Sequence, residues 1–152
     1  MTENEKQLLL TDLCARLPYG IKFPYHMNGD NSHKECDCIA TVDGISDDIV
    51  EFTYEEDGVT RDWSCPISEV KPYLRPLTRW YMTADERIYL LEELGFDADL
   101  ENGELNDFGS YVYRRVNVLP LFDWLNEHHF DYRGLIPMGL ALEAPEGMYK
   151  TE

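Results

Sequence analysis

Between Cys36 and Cys65 apolar and polar residues alternate in short runs, punctuated by the dipeptides Asp43-Gly44 and Asp57-Gly58. A period of two places alternate side chains on opposite faces of a strand, so such a stretch folds most simply as antiparallel hairpins. In the first run Cys36, Cys38, Ala40 and Val42 share one face, with Asp37, Ile39 and Thr41 on the other. Asp43-Gly44 is then read as a turn, Ile49–Tyr54 as the next strand, Asp57-Gly58 as a second turn and Val59–Cys65 as the strand after it. Ile21–Tyr25 supplies a further strand ahead of the polar loop Asn28–Ser32. The expected unit is a small curled antiparallel sheet or SH3-like barrel, closed by a short turn of helix over Ile67–Leu74.

Helical signals flank this β-rich stretch. Thr2 and Glu5 form a capping box, in which the hydroxyl and the carboxylate each accept a backbone N–H of the first turn. Leu9, Leu10, Leu13, Cys14 and Leu17 follow at helical spacing, predicting a helix over 2–17 that Pro18 and Gly20 end. A second box, Thr83 with Glu86, opens a helix over 83–94 with Ile88, Leu91 and Leu94 on one face and Gly95 past its end. A third runs from about Val118 to His129, with Asn117 as cap, Pro120 in the first turn, and Leu121, Trp124, Leu125 and His128 on one face. Between them, Asn102-Gly103 predicts a tight hairpin within Phe96–Asp107, and Ser110–Val116 a strand. The tail from Arg133 is rich in Gly and Pro and is expected to wrap the surface. The fold class is therefore α+β. A helix and small β unit over 1–78 pack with a mainly helical part over 79–152 as one compact domain.

Charge bounds the partners. Thirty Asp and Glu against thirteen Lys and Arg give a formal charge of −17 over 152 residues. Asp43–Asp57 and Glu92–Asp107 each hold seven carboxylates and no Lys or Arg. Such a field repels nucleic-acid phosphates and anionic membranes. Aromatics at 12%, including ten tyrosines, separate this chain from a disordered acidic tail. No apolar run approaches the roughly 18 residues that span a bilayer. The start MTENEKQLLL shows no basic leader or cleavage site. The expected location is cytoplasmic, with Cys14, Cys36, Cys38 and Cys65 as reduced thiols.

Three blocks carry a resemblance: LLLTDLCARLPYGI (8–21), ISEVKPYLRPL (67–77), and FDWLNEHHFDYRGLI with GLALEAPEGMY (122–149). Together, and in this order, they resemble a family of small proteins encoded by phages and mobile elements of gut anaerobes. The resemblance spans most of the chain, and FDWLNEHHFDYRGLI is its most specific part. It brings no assigned activity, cofactor or catalytic residue.

Several constellations invite chemistry. His33, Cys36, Cys38 and Cys65, with His26 nearby, have the ligand types for zinc. Their C-x-C spacing is not a zinc knuckle, and the two thiols share a strand face with Val42, so buried thiols are the favoured reading and no metal is assigned. His128, His129 and Asp131 suggest metal or acid–base chemistry, but adjacent helical residues point roughly 100° apart. Packing of His128 on Trp124 and helix capping by His129 are favoured instead. Asp97, Asp99, Glu101, Glu104 and Asp107 resemble a calcium loop, yet Gly103 and Phe108 stand where an EF-hand needs other residues. Lys71, Arg75 and Arg79 interleave with Tyr73, Trp80 and Tyr81, a mix that can stack bases. Pairing of those cations with neighbouring carboxylates fits the overall charge better. The chain has no G-x-S-x-G, P-loop or G-x-G-x-x-G.

The preferred reading is a non-enzymatic accessory or regulatory protein of a phage or mobile element, without cofactor, acting on a protein partner. Trp124, His129, Tyr132 and Arg133 are the expected contact surface, since aromatics and Arg dominate interface energetics. Two alternatives stand beside it. One is an acidic DNA mimic with Asp47, Asp48, Glu51, Glu55 and Glu56 on one ridge. The other is a small enzyme using the cluster from His128 to Asp131, which would need a pocket around those side chains.

Overall fold

The computed structural model describes residues 1–31, 34–77, 81–94 and 118–149. Gly95, the expected hairpin and strand within 96–116, Asn117, His33, Arg79 and Trp80 lie outside the described residues. The chain divides into two compact units, Met1–Tyr73 with Leu140–Leu142, and Leu74–Gly139 with Glu143–Glu152. Among the described residues no helix is long and apolar enough to cross a membrane.

In the N-terminal unit α1 (Glu3–Arg16) begins at the expected capping box: Thr2 Oγ1 accepts from Glu5 N at 3.2 Å and Glu5 Oε2 accepts from Thr2 N at 2.6 Å. Its buried face differs from the expected stripe. Leu9 and Leu13 are buried, but Cys14 is exposed, Leu10 and Leu17 are half-buried, and Asp12 and Arg16 complete the face at 0% exposure. One turn apart, these two form a forked ion pair, with Arg16 Nε donating to Asp12 Oδ2 at 2.8 Å and Nη2 to Oδ1 at 3.0 Å. Pairing lets both charges enter a hydrophobic face, and sequence periodicity assigns such residues to water.

Four strands follow: β1 (Lys22–Met27), β2 (Cys36–Ser46), β3 (Ile49–Glu56) and β4 (Val59–Pro66). They pair antiparallel in the order β1-β2-β3-β4. The inner face is a packed core of Phe23, Ala40, Val42, Val50, Phe52 and Tyr54, with Phe23 and Phe52 edge to face at 5.1 Å. Asp57-Gly58 makes the expected turn, both residues having positive φ (52° and 77°) as a type I′ hairpin demands. Asp43-Gly44 does not turn. β2 runs straight through it, and the two-residue turn is Asp47-Asp48. The dipeptide instead forms a β-bulge, since Val42 faces Phe52 while Gly44 faces Glu51, leaving Asp43 as the extra residue. A Cβ on Gly44 would stand 2.9 Å from the Glu51 carboxylate, the end of an exposed side chain that can swing aside.

After β4, Ile67–Glu69 forms a 3-10 turn as part of the expected short helix, while Tyr73–Pro76 becomes strand β5. Among the described residues the second half of the chain forms α2 (Ala84–Glu92), α3 (Val118–Glu127) and a three-stranded sheet in the order β6 (Phe130–Asp131), β5, β7 (Leu142–Glu143). It is therefore not mainly helical, and the tail supplies a strand instead of only wrapping a surface. Strands of two to four residues are too short to show alternation, and the parallel pairing of Arg75 with Phe130 joins residues far apart in sequence. The core is Leu77, Met82, Leu90, Leu94, Leu121, Trp124, Leu125 and Phe130. α2 starts at its capping box, with Thr83 and Glu86 in the expected roles, yet Ile88 is 53% exposed and Leu90 is buried in its stead. α3 ends at Glu127, and His129 just beyond has a left-handed φ of 59°.

The Asp12–Arg16 pair gives a stability test. Asp12→Ala leaves a guanidinium buried without its carboxylate and is expected to cost about 3–5 kcal/mol, whereas Asp12→Leu with Arg16→Met removes both charges and costs far less. Urea unfolding of the three proteins checks this; equal losses in both variants would show that the charges themselves are not what the site balances.

Candidate functional site

The aromatic and histidine cluster near the C-terminus is committed to structure. Trp124 lies in the core at 8% exposure, stacked on His128 at 4.1 Å and on Phe130 at 5.7 Å. His128 Nδ1 donates to the Trp124 carbonyl at 2.9 Å, which fixes the ring against α3. His129 is 3% exposed, and its ring stacks on Tyr149 at 3.9 Å. Asp131 is buried and accepts from the backbone N–H groups of Leu135 and Ile136, both at 2.9 Å, organising the turn that follows. Tyr132 Oη donates to Asn126 Oδ1 and accepts from Arg133 Nη2, each at 2.9 Å, with the Arg133 guanidinium 4.8 Å from the Tyr132 ring. Of the four residues expected to form a contact surface, burial withholds Trp124 and His129, and Tyr132 and Arg133 are half-buried. His129 and Asp131 are buried and His128 is half-buried.

Arg75, from the basic–aromatic segment, is the hub of this unit. Its guanidinium donates to both Glu86 oxygens at 2.8 and 2.9 Å and to the Tyr81 carbonyl, and it lies 4.1 Å from the Phe130 ring. Lys71 and Tyr81 are exposed, and the Tyr81 hydroxyl donates to Glu143. Arg75 is thus held by a carboxylate and is not presented to phosphates.

The possible zinc ligands separate by strand alternation. His26 sits on the outer face of the N-terminal sheet opposite Asp37, its Nδ1 2.7 Å from Asp37 Oδ1. Cys36 and Cys38 point to the inner face, where Cys38 Sγ donates to the Tyr25 carbonyl at 3.4 Å. Burial pushes the Cys38 thiol up to about 11, helped by Cys36 beside it, and burial likewise raises Cys65 to about 11, with Glu69 adding to it. Among the described residues no group of three or more His, Cys, Asp or Glu is placed to hold a metal ion.

The acidic residues proposed for one ridge are also dispersed. Asp47 and Asp48 form the β2–β3 turn, with Asp48 bound to Lys6 of α1. Alternation puts Glu51 and Glu55 on the outer face of β3 and turns Glu56 inward, where Arg61 holds it at 2.5 Å.

A different acidic site is built instead. The bulge brings Asp43 and Gly44 together onto the outer face, so Asp43 joins Glu51 there. Across the next pairing Glu51 faces Ser64 and Thr53 faces Asp62, placing Glu51 and Asp62 as diagonal neighbours roughly 7–8 Å apart. Asp43, Glu51, Phe52, Asp62, Trp63 and Ser64 line an open depression of about 470 Å³. Among the described residues no cation pairs with Asp43, Glu51 or Asp62: Lys6 goes to Asp48, Lys34 to Asp57 and Arg61 to Glu56. Ile39 and Ile49, at 47% and 41% exposure, add apolar surface to the outer face, whereas Trp63, opposite Phe52, turns its ring to the other face. The missing signal in the sequence was the turn: with Asp47-Asp48 as the hairpin loop, the facing of Gly44 and Glu51 follows directly.

Searches of protein families, curated proteins and solved structures find no match to this chain.

Two predictions follow from these environments. At pH 8 a soft alkylating reagent is expected to label exposed Cys14 well ahead of Cys38 and Cys65, as read by peptide mass spectrometry; equal rates would contradict the raised thiols. For Glu86, burial opposes ionisation, but the Arg75 and Thr83 hydrogen bonds overcome it and hold its carboxyl below the usual glutamate value. A carboxyl lowered by folding contributes stability that is complete above its unfolded value and lost as pH falls through the folded one. Wild type should therefore lose more thermal stability than Glu86→Gln between pH 5 and pH 3, and parallel curves would remove Glu86 as a source.

Proposed function

We propose that the chain is a non-enzymatic accessory or regulatory protein of a phage or mobile element, and that it acts by binding another protein through the outer face of its N-terminal sheet. One observation carries the choice of surface: Asp43, Glu51 and Asp62 surround an open depression, and Lys6, Lys34 and Arg61 of the same unit are bound to other carboxylates. Unneutralised carboxylates on the face that also carries exposed Ile39 and Ile49 suit a partner that brings cations and some apolar contact. Charge of this kind steers encounter and rejects anionic competitors more than it adds affinity. The setting in a phage or mobile element rests on the three sequence blocks alone. The C-terminal cluster supports the non-enzymatic reading, because His128, His129 and Asp131 are each engaged in packing or in backbone hydrogen bonds.

The test compares tagged wild type, a triple variant (Asp43→Asn, Glu51→Gln, Asp62→Asn) and a control variant, Asp123→Asn, which removes an exposed carboxylate from α3 of the other unit. Proteins from the host that wild type and the control retain and the triple variant loses, with retention weakening as salt rises, are the expected result. Identical retention by all three proteins would move the contact away from this face.

A further inference from the structure

The N-terminal sheet has two edges, and they are guarded very differently. An unpaired edge presents free N–H and C=O groups, which native proteins shield with proline, bulges, short strands or covering segments. β1 carries Pro24 in its middle, and only His26 of its six residues is exposed. β4 has neither protection. Its eight residues pair with β3 in one unbroken register from Val59 opposite Glu56 to Pro66 opposite Ile49, with proline only at the last position. Six of the eight are exposed, including Val59 at 52% and Trp63 at 40%. Among the described residues no strand lies on its far side. Every second residue of β4 therefore turns its backbone donor and acceptor away from β3.

We infer that β4 is a docking edge for an extended segment of a partner protein in which Lys or Arg alternates with apolar residues. The segment adds as a fifth antiparallel strand, a mode in which backbone hydrogen bonds give affinity and alternate side chains give specificity. Charge selects the occupant. A strand laid on β4 sits about 4.8 Å from it, so its outward side chains stand beside Asp62, with Glu51 one strand and Asp43 two strands further in adding to the negative field. Its inward side chains meet the face that carries Arg61, Trp63 and Cys65, where Arg61 is neutralised by Glu56 and apolar groups fit. A second copy of this chain, with its own charge of −17, is disfavoured as the occupant. The inference rests on the protein-binding reading above and gives it a mode and a partner chemistry.

The experiment uses the full chain and a labelled, end-capped octapeptide alternating Lys and Val. It is compared with the same peptide N-methylated at alternate amides and with a Glu–Val counterpart, by fluorescence anisotropy and amide hydrogen exchange. Saturable binding of the Lys–Val peptide is expected, with about tenfold or greater weakening on N-methylation, because several backbone hydrogen bonds are lost together. A similar loss is expected for the Asp62→Lys protein, as are no binding of the Glu–Val peptide and new exchange protection confined to the β4 side of the sheet. N-methylation changes only the peptide, so its result does not depend on any variant folding. Equal affinity of the methylated peptide, absence of binding, or concentration-dependent pairing of the free protein through β4 would each overturn the proposal. If that happens while the triple variant still loses its host proteins, the outer face stands as the contact surface and only strand addition is removed.

Discussion

The C-terminal unit depends on where Arg75 puts its guanidinium. From β5 it reaches the two oxygens of Glu86, the same carboxylate that accepts from Thr83 N at 2.8 Å to close the α2 capping box. Its backbone N–H donates to the His129 carbonyl at 2.8 Å, and its side chain covers Phe130. One residue thereby ties the start of α2, the end of α3 and the pairing of β5 with β6. A lysine would keep the charge but not the fork, which is what lets one cation serve a carboxylate and carbonyls in fixed directions. The N-terminal unit uses the same chemistry differently: Arg16 and Asp12 pair within a single helix and so add a polar requirement to a face otherwise made of Leu9 and Leu13.

What could be read from the sequence was what is decided over three or four residues. Both capping boxes stand as expected, since Thr and Glu three apart satisfy the same helix end wherever the helix packs. The type I′ turn at Asp57-Gly58 is equally local. Asp43-Gly44 shows the limit of such signals. The dipeptide suits a turn, and it also suits a bulge within a strand. Only the pairing of β2 with β3 decides between these, and that decision also creates the acidic depression.

The remaining differences share a cause in side-chain partnership. Asp12 and Arg16 look like solvent-facing residues until each is seen to neutralise the other. Ile88 fits the predicted helical face of α2, yet the face that packs is the one bearing Glu86, because Glu86 is where Arg75 arrives. The histidines and Asp131 have the composition of a reactive site and the surroundings of a folded corner: one ring on Trp124, one on Tyr149, and the carboxylate under two backbone N–H groups. Residue type was legible there; occupancy of the side-chain atoms was not.

The distribution of charge follows from the same pairing. The negative excess is not spread evenly, because the positive groups of the N-terminal unit are drawn to particular carboxylates: Arg16 to Asp12 inside, Arg61 to Glu56 on the inner face, Lys6 to Asp48 at a turn. Asp43, Glu51 and Asp62, which no such cation takes up, lie on the outer face of the sheet that ends in β4. An open edge in a neutral sheet would invite pairing with any strand, including its own copy. Carboxylates next to the edge add a repulsive element against acidic strands and an attractive one toward basic strands, so a hazard of folding becomes a selective surface. On this view the −17 charge does more than keep the chain dissolved: where it stands uncancelled, it decides which strands the open edge accepts.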